Sequence, residues 1–208
     1  MTQNADTKFR REAERGSHDF DLACEVLDAG KVCHVGFMLD NQPYVIPMAY
    51  GRLDKQLLLH GSVASRVMKA LASGVPCCVT VTHFDGLVYA RSTFSSSMNY
   101  RSTMVFGTAR EITDLDEKRP AIQALVDHLM PGRRADLRKS TLQELNATTL
   151  LSIPIETFST KCRTGPPKDK KADLDAEVWA GVVPLELSAG EPIDAPDITP
   201  GVKKPDYL

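Results

Sequence analysis

A polar segment between an apolar run and a helical pattern carries side chains that could hold a phosphate. The stretch LLLHGSVASRVMKAL (57–71) brings His60, Gly61, Ser65 and Arg66 close together. A helix beginning here would present free backbone N–H groups to an anion, and a serine hydroxyl and an arginine fork would add charge-assisted hydrogen bonds. Histidine titrates near neutral pH, so His60 is a candidate proton donor. An ordinary capped surface helix, preceded by a structural histidine, would explain the same residues.

A second polar stretch could contact a planar ring. The sequence STFSSSMNYRSTMVFG (92–107) is rich in hydroxyl side chains and runs directly into an apolar strand. Tyr100 could stack on a ring, and Arg101 and Ser102 could hydrogen-bond its polar edge or a phosphate. A serine-rich surface loop that leads into a strand would produce the same pattern.

A proline inside a strand-like run marks a third candidate. The run PYVIPMAY contains Pro47, and proline removes a backbone donor from a sheet. A flat ligand lying across Ile46–Met48 would account for it, and so would an edge strand or a bulge.

Composition limits the functional classes. The chain of 208 residues has 25 basic and 27 acidic side chains and no long basic run, which argues against generic nucleic-acid binding. No apolar segment approaches the ~20 residues that span a bilayer, and the N-terminus lacks a signal-peptide core, so we expect a cytoplasmic protein. The five cysteines lack CxxC spacing, which favours free thiols over disulfides or a zinc site.

Short connections between apolar runs predict an antiparallel sheet. Asp85-Gly86 predicts a two-residue hairpin, and TLLSIPIETFSTKCR predicts a single final strand. Helices are predicted at 20–29, from an N-cap at Ser62 to Gly74, at 114–130 and over STLQELNA. About six strands with helices at a few corners indicate a mainly β fold with flanking helices, a small Greek-key barrel.

The chain divides into an N-terminal arm (1–19), the barrel (20–163) and a C-terminal arm (164–208). More than half of the 13 prolines lie in this last segment, and proline at that density opposes helices and central strands. The apolar run VWAGVVPL nevertheless needs a surface to pack on. We therefore expect an extended arm laid over the barrel or a partner subunit, with Trp179 as an anchor.

Taken in order, these motifs resemble one family. HVGF, QPYVIPM, LHGSVASR, GVPCCVTVT, DGLVYARS, SMNYRS, VFG, PGR, ELNAT, KCRTGPP and WAGVVPL follow one another as in the flavin-nucleotide-binding branch of the pyridoxamine 5′-phosphate oxidase-like superfamily. That branch is related to the 5-nitroimidazole-resistance proteins. The likeness runs from about Arg10 to Leu187. It implies a six-stranded antiparallel split β-barrel, a homodimer, and FMN in a cleft at the dimer interface.

The resemblance also assigns roles to single residues. Ser65 and Arg66 stand where the oxidases grip the FMN phosphate, and His60 and Gly61 stand where residues flank the phosphate and the ribityl chain. Ser102 falls near the ring. The other implied contacts are the backbone of Val45, Ile46, Pro47 and Met48 along the isoalloxazine, and Trp179, which closes the site.

The chain departs from the family pattern at several positions. This branch often carries paired histidines before SMNYRS, where this chain has Ser95 and Ser96, which weakens any proposal of metal or haem ligation there. Arg134 follows PGR where tryptophan is common. We find no basic cluster for a pyridoxal phosphate group, so pyridoxamine phosphate oxidation is not predicted.

The leading functional hypothesis is a flavin-dependent oxidoreductase or reductase acting on a small, planar, electron-poor organic molecule, with His60 as proton donor. Two other classes stay open at this point. One is a non-catalytic flavin or haem carrier or redox sensor, with His60 as the haem ligand. The other is a binding module that uses the barrel without a cofactor.

Overall fold

A computed structural model describes residues 5–208, which form an antiparallel sheet flanked by helices. Residues 1–4 of the predicted N-terminal arm lie outside this range. The α-helices of the described chain are Phe20–Ala29 (α1), Arg66–Ala72 (α2), Leu115–Leu129 (α3) and Leu142–Asn146 (α4), with short 3₁₀ helices at Ala13–Arg15, Arg133–Asp136 and Lys171–Asp173. The strands are Gly16–Ser17 (β1), Val32–Leu39 (β2), Gln42–Leu53 (β3), Gln56–Ser62 (β4), Pro76–Tyr89 (β5), Ser97–Thr108 (β6), Arg110–Glu111 (β7), Thr148–Pro154 (β8), Thr157–Arg163 (β9) and Gly181–Pro184 (β10).

The described strands follow the order β1-β9-β6-β5-β2-β3-β4-β8-β7, with β10 added beside β5. Each pairing among them is antiparallel, and the two outermost strands, β1 and β7, do not meet. The sheet therefore curls without closing. This confirms the predicted fold class, a mainly β split barrel with flanking helices.

Two strand predictions are wrong. The segment predicted as one final strand is two strands, β8 and β9, separated by a turn at Ile155-Glu156. They pair with different neighbours, β8 with β4 and β7, and β9 with β1 and β6. Asp85-Gly86 is not a hairpin turn, because β5 continues through it with a register shift between Phe84 and Gly86. The bulge is supported from both sides, since β6 pairs along the whole of β5 and β10 pairs with Gly86–Tyr89.

The helix predictions at 20–29, 114–130 and STLQELNA are confirmed. Asp19 caps α1 by accepting a hydrogen bond from the backbone N–H of Leu22, and Asp114 caps α3 in the same way. Thr141 and Glu144 form a capping box at the start of α4. Among residues 5–208, no helix combines the length and the apolar character needed to cross a membrane.

The main core lies on the inner side of the curled sheet, and α1 and α2 contribute buried residues to it. Val35, Tyr50, Leu59 and Val79 are among its fully buried members. The hydroxyl of Tyr50 donates a hydrogen bond to the carbonyl of Leu27, which joins β3 to α1, and burial raises the pKa of this phenol.

A second, smaller core lies on the opposite side of the sheet, under α3. Leu58 and Leu150 from β4 and β8 pack there against Leu125 and its neighbours. A Cβ on Gly51 would come within 3.0 Å of the Cα of Leu125, so the glycine permits the close approach of the helix. The helix thus covers the outer side of β4 and β8 and leaves the outer side of β2, β5 and β6 uncovered.

That uncovered surface, which we call the open face, consists of the side chains of β2, β3, β5 and β6 that point away from the main core, together with the exposed side chain of His60 on the same side of β4. Strand register places alternate residues of these neighbouring strands on the same side. Its exposed large apolar residues are Val45 (66% exposed), Val32 (52%), Met38 (51%), Phe84 (47%) and Met104 (37%). An apolar surface of this extent is typical of an interaction site.

Candidate functional site

The junction between β4 and α2 is built differently from the sequence prediction. Ser62 is not the helix N-cap, because it continues β4 by pairing with Thr148 of β8. Its carbonyl accepts a hydrogen bond from the N–H of Ser65 at 2.9 Å, which closes a tight turn. Ser65 is the N-cap, and α2 begins at Arg66. Pairing with a distant strand therefore moves the helix start three residues along the chain.

Arg66 and Ser65 have free hydrogen-bonding groups at this junction. Arg66 is exposed, and its guanidinium carbon lies 5.1 Å from the ring centroid of Tyr44. Tyr44 in turn stacks on Phe37, so the arginine rests on an ordered aromatic pair. Within residues 5–208 the guanidinium makes no hydrogen bond or ion pair, and the hydroxyl of Ser65 makes no capping bond. A guanidinium and a hydroxyl in this state can both donate to a phosphate.

Gly61 has a packing role in the structure. A Cβ at this position would lie 2.8 Å from Cγ of the buried Met68, so only glycine lets α2 pack this closely on β4. The alternation along β4 then directs His60 to the other side of the strand, where it is exposed.

Pro47 lies in a part of β3 that has one unpaired edge in the described sheet. Residues 42–49 pair with β2 on one side, whereas β4 pairs only with residues 50–53. The missing N–H of Pro47 therefore costs no ladder bond on the free side, which agrees with an edge position. The same edge leaves backbone groups that a planar ligand could use.

The predicted β6 residues divide between the two sides of the sheet. The hydroxyl of Ser102 lies 3.2 Å from the hydroxyl of Thr82, and Tyr100 lies opposite Phe84 on the open face. Arg101 points the other way and donates from Nε (2.9 Å) and Nη2 (2.8 Å) to both carboxylate oxygens of Asp85. This hydrogen bonding holds the pKa of Asp85 below its usual value. The charge of Arg101 is thus already neutralised inside the chain.

Trp179 lies beside the C-terminal end of β5. Its ring centroid is 5.7 Å from that of Tyr89, and the indole folds over Gly181, the first residue of β10. The side chain is still 64% exposed. Its described contacts are therefore those of an anchor with one face left free.

Strand register divides the predicted site into two groups. The open face carries Val45, Pro47, His60, Tyr100 and Ser102, and the core side carries Ile46, Met48, Gly61 and, through Tyr44, Arg66. The sequence reasoning missed His34, which is exposed on the open face directly opposite Pro47. The alternation in VCHVGF is the signal that could have found it.

The cysteines are free thiols that are poorly suited to redox chemistry. Burial raises the pKa of Cys33 to about 12 and that of Cys77 to about 11. Both thiols stay protonated at neutral pH, and a protonated thiol is a weak nucleophile.

A buried ion pair fastens the C-terminal arm to the barrel. The carboxylate of Asp169, whose side chain is 2% exposed, accepts bonds at 2.9 Å from the backbone N–H and from Nη1 of Arg91.

Asp169→Asn would leave the Arg91 cation without its partner. We expect the free energy of unfolding to fall by about 2 kcal/mol, since Arg91 retains some solvent. Urea unfolding would measure this loss. Limited proteolysis should cut the arm faster, and Asp175→Asn at an exposed position is the control. Equal stability of the two variants would contradict the assignment.

The sequence model of the pyridoxamine 5′-phosphate oxidase family matches residues 19–162. The chain belongs to this family. The predicted family is thereby confirmed. No curated protein shows significant similarity to the sequence.

Two solved structures are similar over nearly the full chain. The FAD and heme binding protein from Mycobacterium smegmatis is 41% identical, with 93% of this chain and 95% of that chain covered and a TM-score of 0.89. The flavocytochrome Anf3 from Azotobacter vinelandii is 36% identical, with coverage of 98% and 95% and a TM-score of 0.91. A putative 5-nitroimidazole antibiotic resistance protein from Bacteroides thetaiotaomicron is 23% identical over 70% of this chain and 85% of its own, with a TM-score of 0.60, and shares the fold.

Proposed function

We propose that this protein binds a flavin nucleotide at the β4–α2 junction and uses it in electron transfer or in the reduction of a small planar molecule. The observation that carries the proposal is the free guanidinium of Arg66 beside the free hydroxyl of Ser65. The motif resemblance implies that these two residues stand where the oxidases grip the phosphate of FMN. The two similar solved proteins, one FAD- and heme-binding and one a flavocytochrome, support the same cofactor class.

Each residue around the junction would make a different contact with the flavin. Arg66 would neutralise the phosphate and Ser65 would hydrogen-bond it. The free backbone edge around Pro47 would hydrogen-bond the polar rim of the ring, and His60 would hold a proton near it. A bound flavin supplies the redox chemistry, and the protein supplies binding, orientation and electrostatics.

A second copy of the chain is the proposed partner. The open face presents Val32, Met38 and Val45 to solvent, and a self-complementary contact would bury them. The same face carries His60 and Ser102, so a partner subunit would complete a cleft around the ring. Trp179, with one face free, could close the cleft from either subunit.

The identity of the nucleotide is the first experimental question. The resemblance predicts FMN, whereas the relative that is 41% identical binds FAD. Protein purified without added cofactor would be denatured, and the released pigment compared with FMN and FAD standards by chromatography. Either flavin supports the proposal. A colourless protein that binds neither FMN nor FAD on reconstitution would contradict the proposal.

Haem is a second candidate ligand, either with flavin or in its place. Both similar solved proteins, by name, carry or bind haem. His60 and His34 lie exposed on the open face, and neither makes a hydrogen bond within residues 5–208. A Soret band in the purified protein that His60→Ala removes would support a haem site there.

Anaerobic mixing with NADH or NADPH distinguishes an enzyme from a carrier. The absorbance of the bound flavin should bleach if the protein is a reductase that accepts electrons from such a donor, and should persist if it is only a carrier.

A further inference from the structure

A cavity of the described chain lies away from the β4–α2 junction, between α3 and the segment that leads to α4. Its volume is about 720 Å³, within the range of ~300–1,000 Å³ usual for small-molecule sites. The lining comes from one side of α3, from residues 132–140 and from Leu145. None of the residues assigned to the flavin site contributes to it.

The lower part of the cavity is apolar. Ile122 and Val126 lie one turn apart on α3, and Leu145 closes the bottom from α4. Leu137 also lines the cavity and is 43% exposed. Such a surface suits the hydrocarbon part of a ligand.

The rim of the cavity is cationic. Two of its arginines are neutralised, since Arg134 pairs with Asp127 at 3.0 Å and Arg138 pairs with Glu144. Arg119 donates only to the carbonyl of Ser140, at 3.3 Å, and Lys139 makes no ion pair within residues 5–208. Two uncompensated cations therefore stand above an apolar floor.

The walls are held in place by contacts that do not use these two cations. The Arg138–Glu144 pair spans the segment before α4, and Glu144 also accepts from the N–H of Thr141. Hydrogen bonding from Arg138 lowers the pKa of Glu144 to about 2. At the far edge, the ring of Tyr207 packs on Gly132 and its hydroxyl bonds to Arg133 and Asp136. These contacts do not involve Lys139, and Arg119 contributes only its bond to Ser140, so both cations stay available to an anion.

We propose that this cavity binds an amphipathic anion, with its apolar chain on Ile122, Val126 and Leu145 and its carboxylate or phosphate head between Arg119 and Lys139. The charge and the apolar floor are both needed: a purely polar anion would leave the floor in water, and a neutral lipid would leave the cations unpaired. The proposal is independent of the flavin site.

The test titrates the protein, with whatever cofactor it carries, with decanoate, decyl phosphate and the neutral decyl glucoside by calorimetry. Decanoate or decyl phosphate should bind, and decyl glucoside, whose alkyl chain is of similar length, should bind at least tenfold more weakly. The tighter of the two anions identifies the head group. Equal binding of all three amphiphiles, or no binding of either anion, would overturn the proposal.

A pair of double variants localises the site. Arg119→Gln with Lys139→Gln should weaken anion binding on the order of tenfold or more. Arg10→Gln with Lys168→Gln removes the same charge from exposed positions that do not line the cavity and should leave the affinity unchanged. Equal loss in the two double variants would assign the effect to net charge and would contradict a built site. Leu137→Glu, at an exposed position that lines the cavity, should weaken anion binding without unfolding the chain. It replaces an apolar contact with a carboxylate that repels the ligand.

Discussion

A Val45→Asp variant is expected to be monomeric and to lose most of its bound flavin. Val45 is 66% exposed on the open face, opposite Gly36 of β2, so the substitution does not disturb the core of one chain. In a two-fold contact each copy would contribute one aspartate, and burying an unpaired carboxylate costs several kcal/mol. The dissociation constant of the dimer should therefore increase by several orders of magnitude.

The effect on flavin follows from the proposed cleft. If the partner subunit closes the ring site, a monomer exposes the ring to water and retains only the phosphate contacts. Light scattering coupled to gel filtration would give the mass, and the ratio of flavin to protein absorbance would give the occupancy.

A matched control places the same charge on an apolar residue off the open face. Leu187 is fully exposed in the C-terminal arm, so Leu187→Asp should keep both dimer and flavin. Thermal unfolding should give similar midpoints for the two variants. A Val45→Asp protein that remains a flavin-loaded dimer would show that the dimer contact does not use the open face around Val45.

Arg66→Ala is expected to weaken flavin binding tenfold to a hundredfold. The guanidinium rests on Tyr44 and makes no ion pair within the described chain, so its removal breaks no internal salt bridge. What is lost is a charge-assisted contact to phosphate, worth about 1.5–3 kcal/mol. Titration of flavin into apoprotein, followed by quenching of flavin fluorescence, measures the change.

Two further variants make this result specific. Arg66→Lys keeps the charge but not the fork, and should recover part of the affinity. Arg10→Ala removes a solvated arginine whose side chain is 78% exposed, and should change nothing. An unaltered affinity in Arg66→Ala would place the phosphate elsewhere.

Local signals sufficed where an element depends on its own residues. Asp19 and Gly30 bracket α1, and Asp114 starts α3, because a capping side chain or a helix-ending residue acts on the nearest turn. The family could also be recognised, because each of its motifs is a short, uninterrupted stretch of sequence. The same holds for the residue types at the β4–α2 junction.

Predictions were wrong where distant residues decide the local structure. Asp85-Gly86 has the composition of a hairpin turn, yet Arg101 binds Asp85 and β10, about a hundred residues later, pairs with Gly86. Ser62 is a good N-cap, but Thr148 of β8 holds it in a strand. In both places, ladder hydrogen bonds from remote segments outweigh local preference.

The amino-acid sequence was enough to predict the family, the helices at 20–29, 114–130 and STLQELNA, and the set of chemically capable side chains. The tertiary structure alone decided which of those side chains share a surface. Register sends His60 and Pro47 to the open face, Arg101 to Asp85 and Gly61 against Met68, and one residue of slip would reverse each assignment. The physical reason is that side chains alternate along a strand, so the side on which a residue lies depends on pairing partners that are remote in sequence.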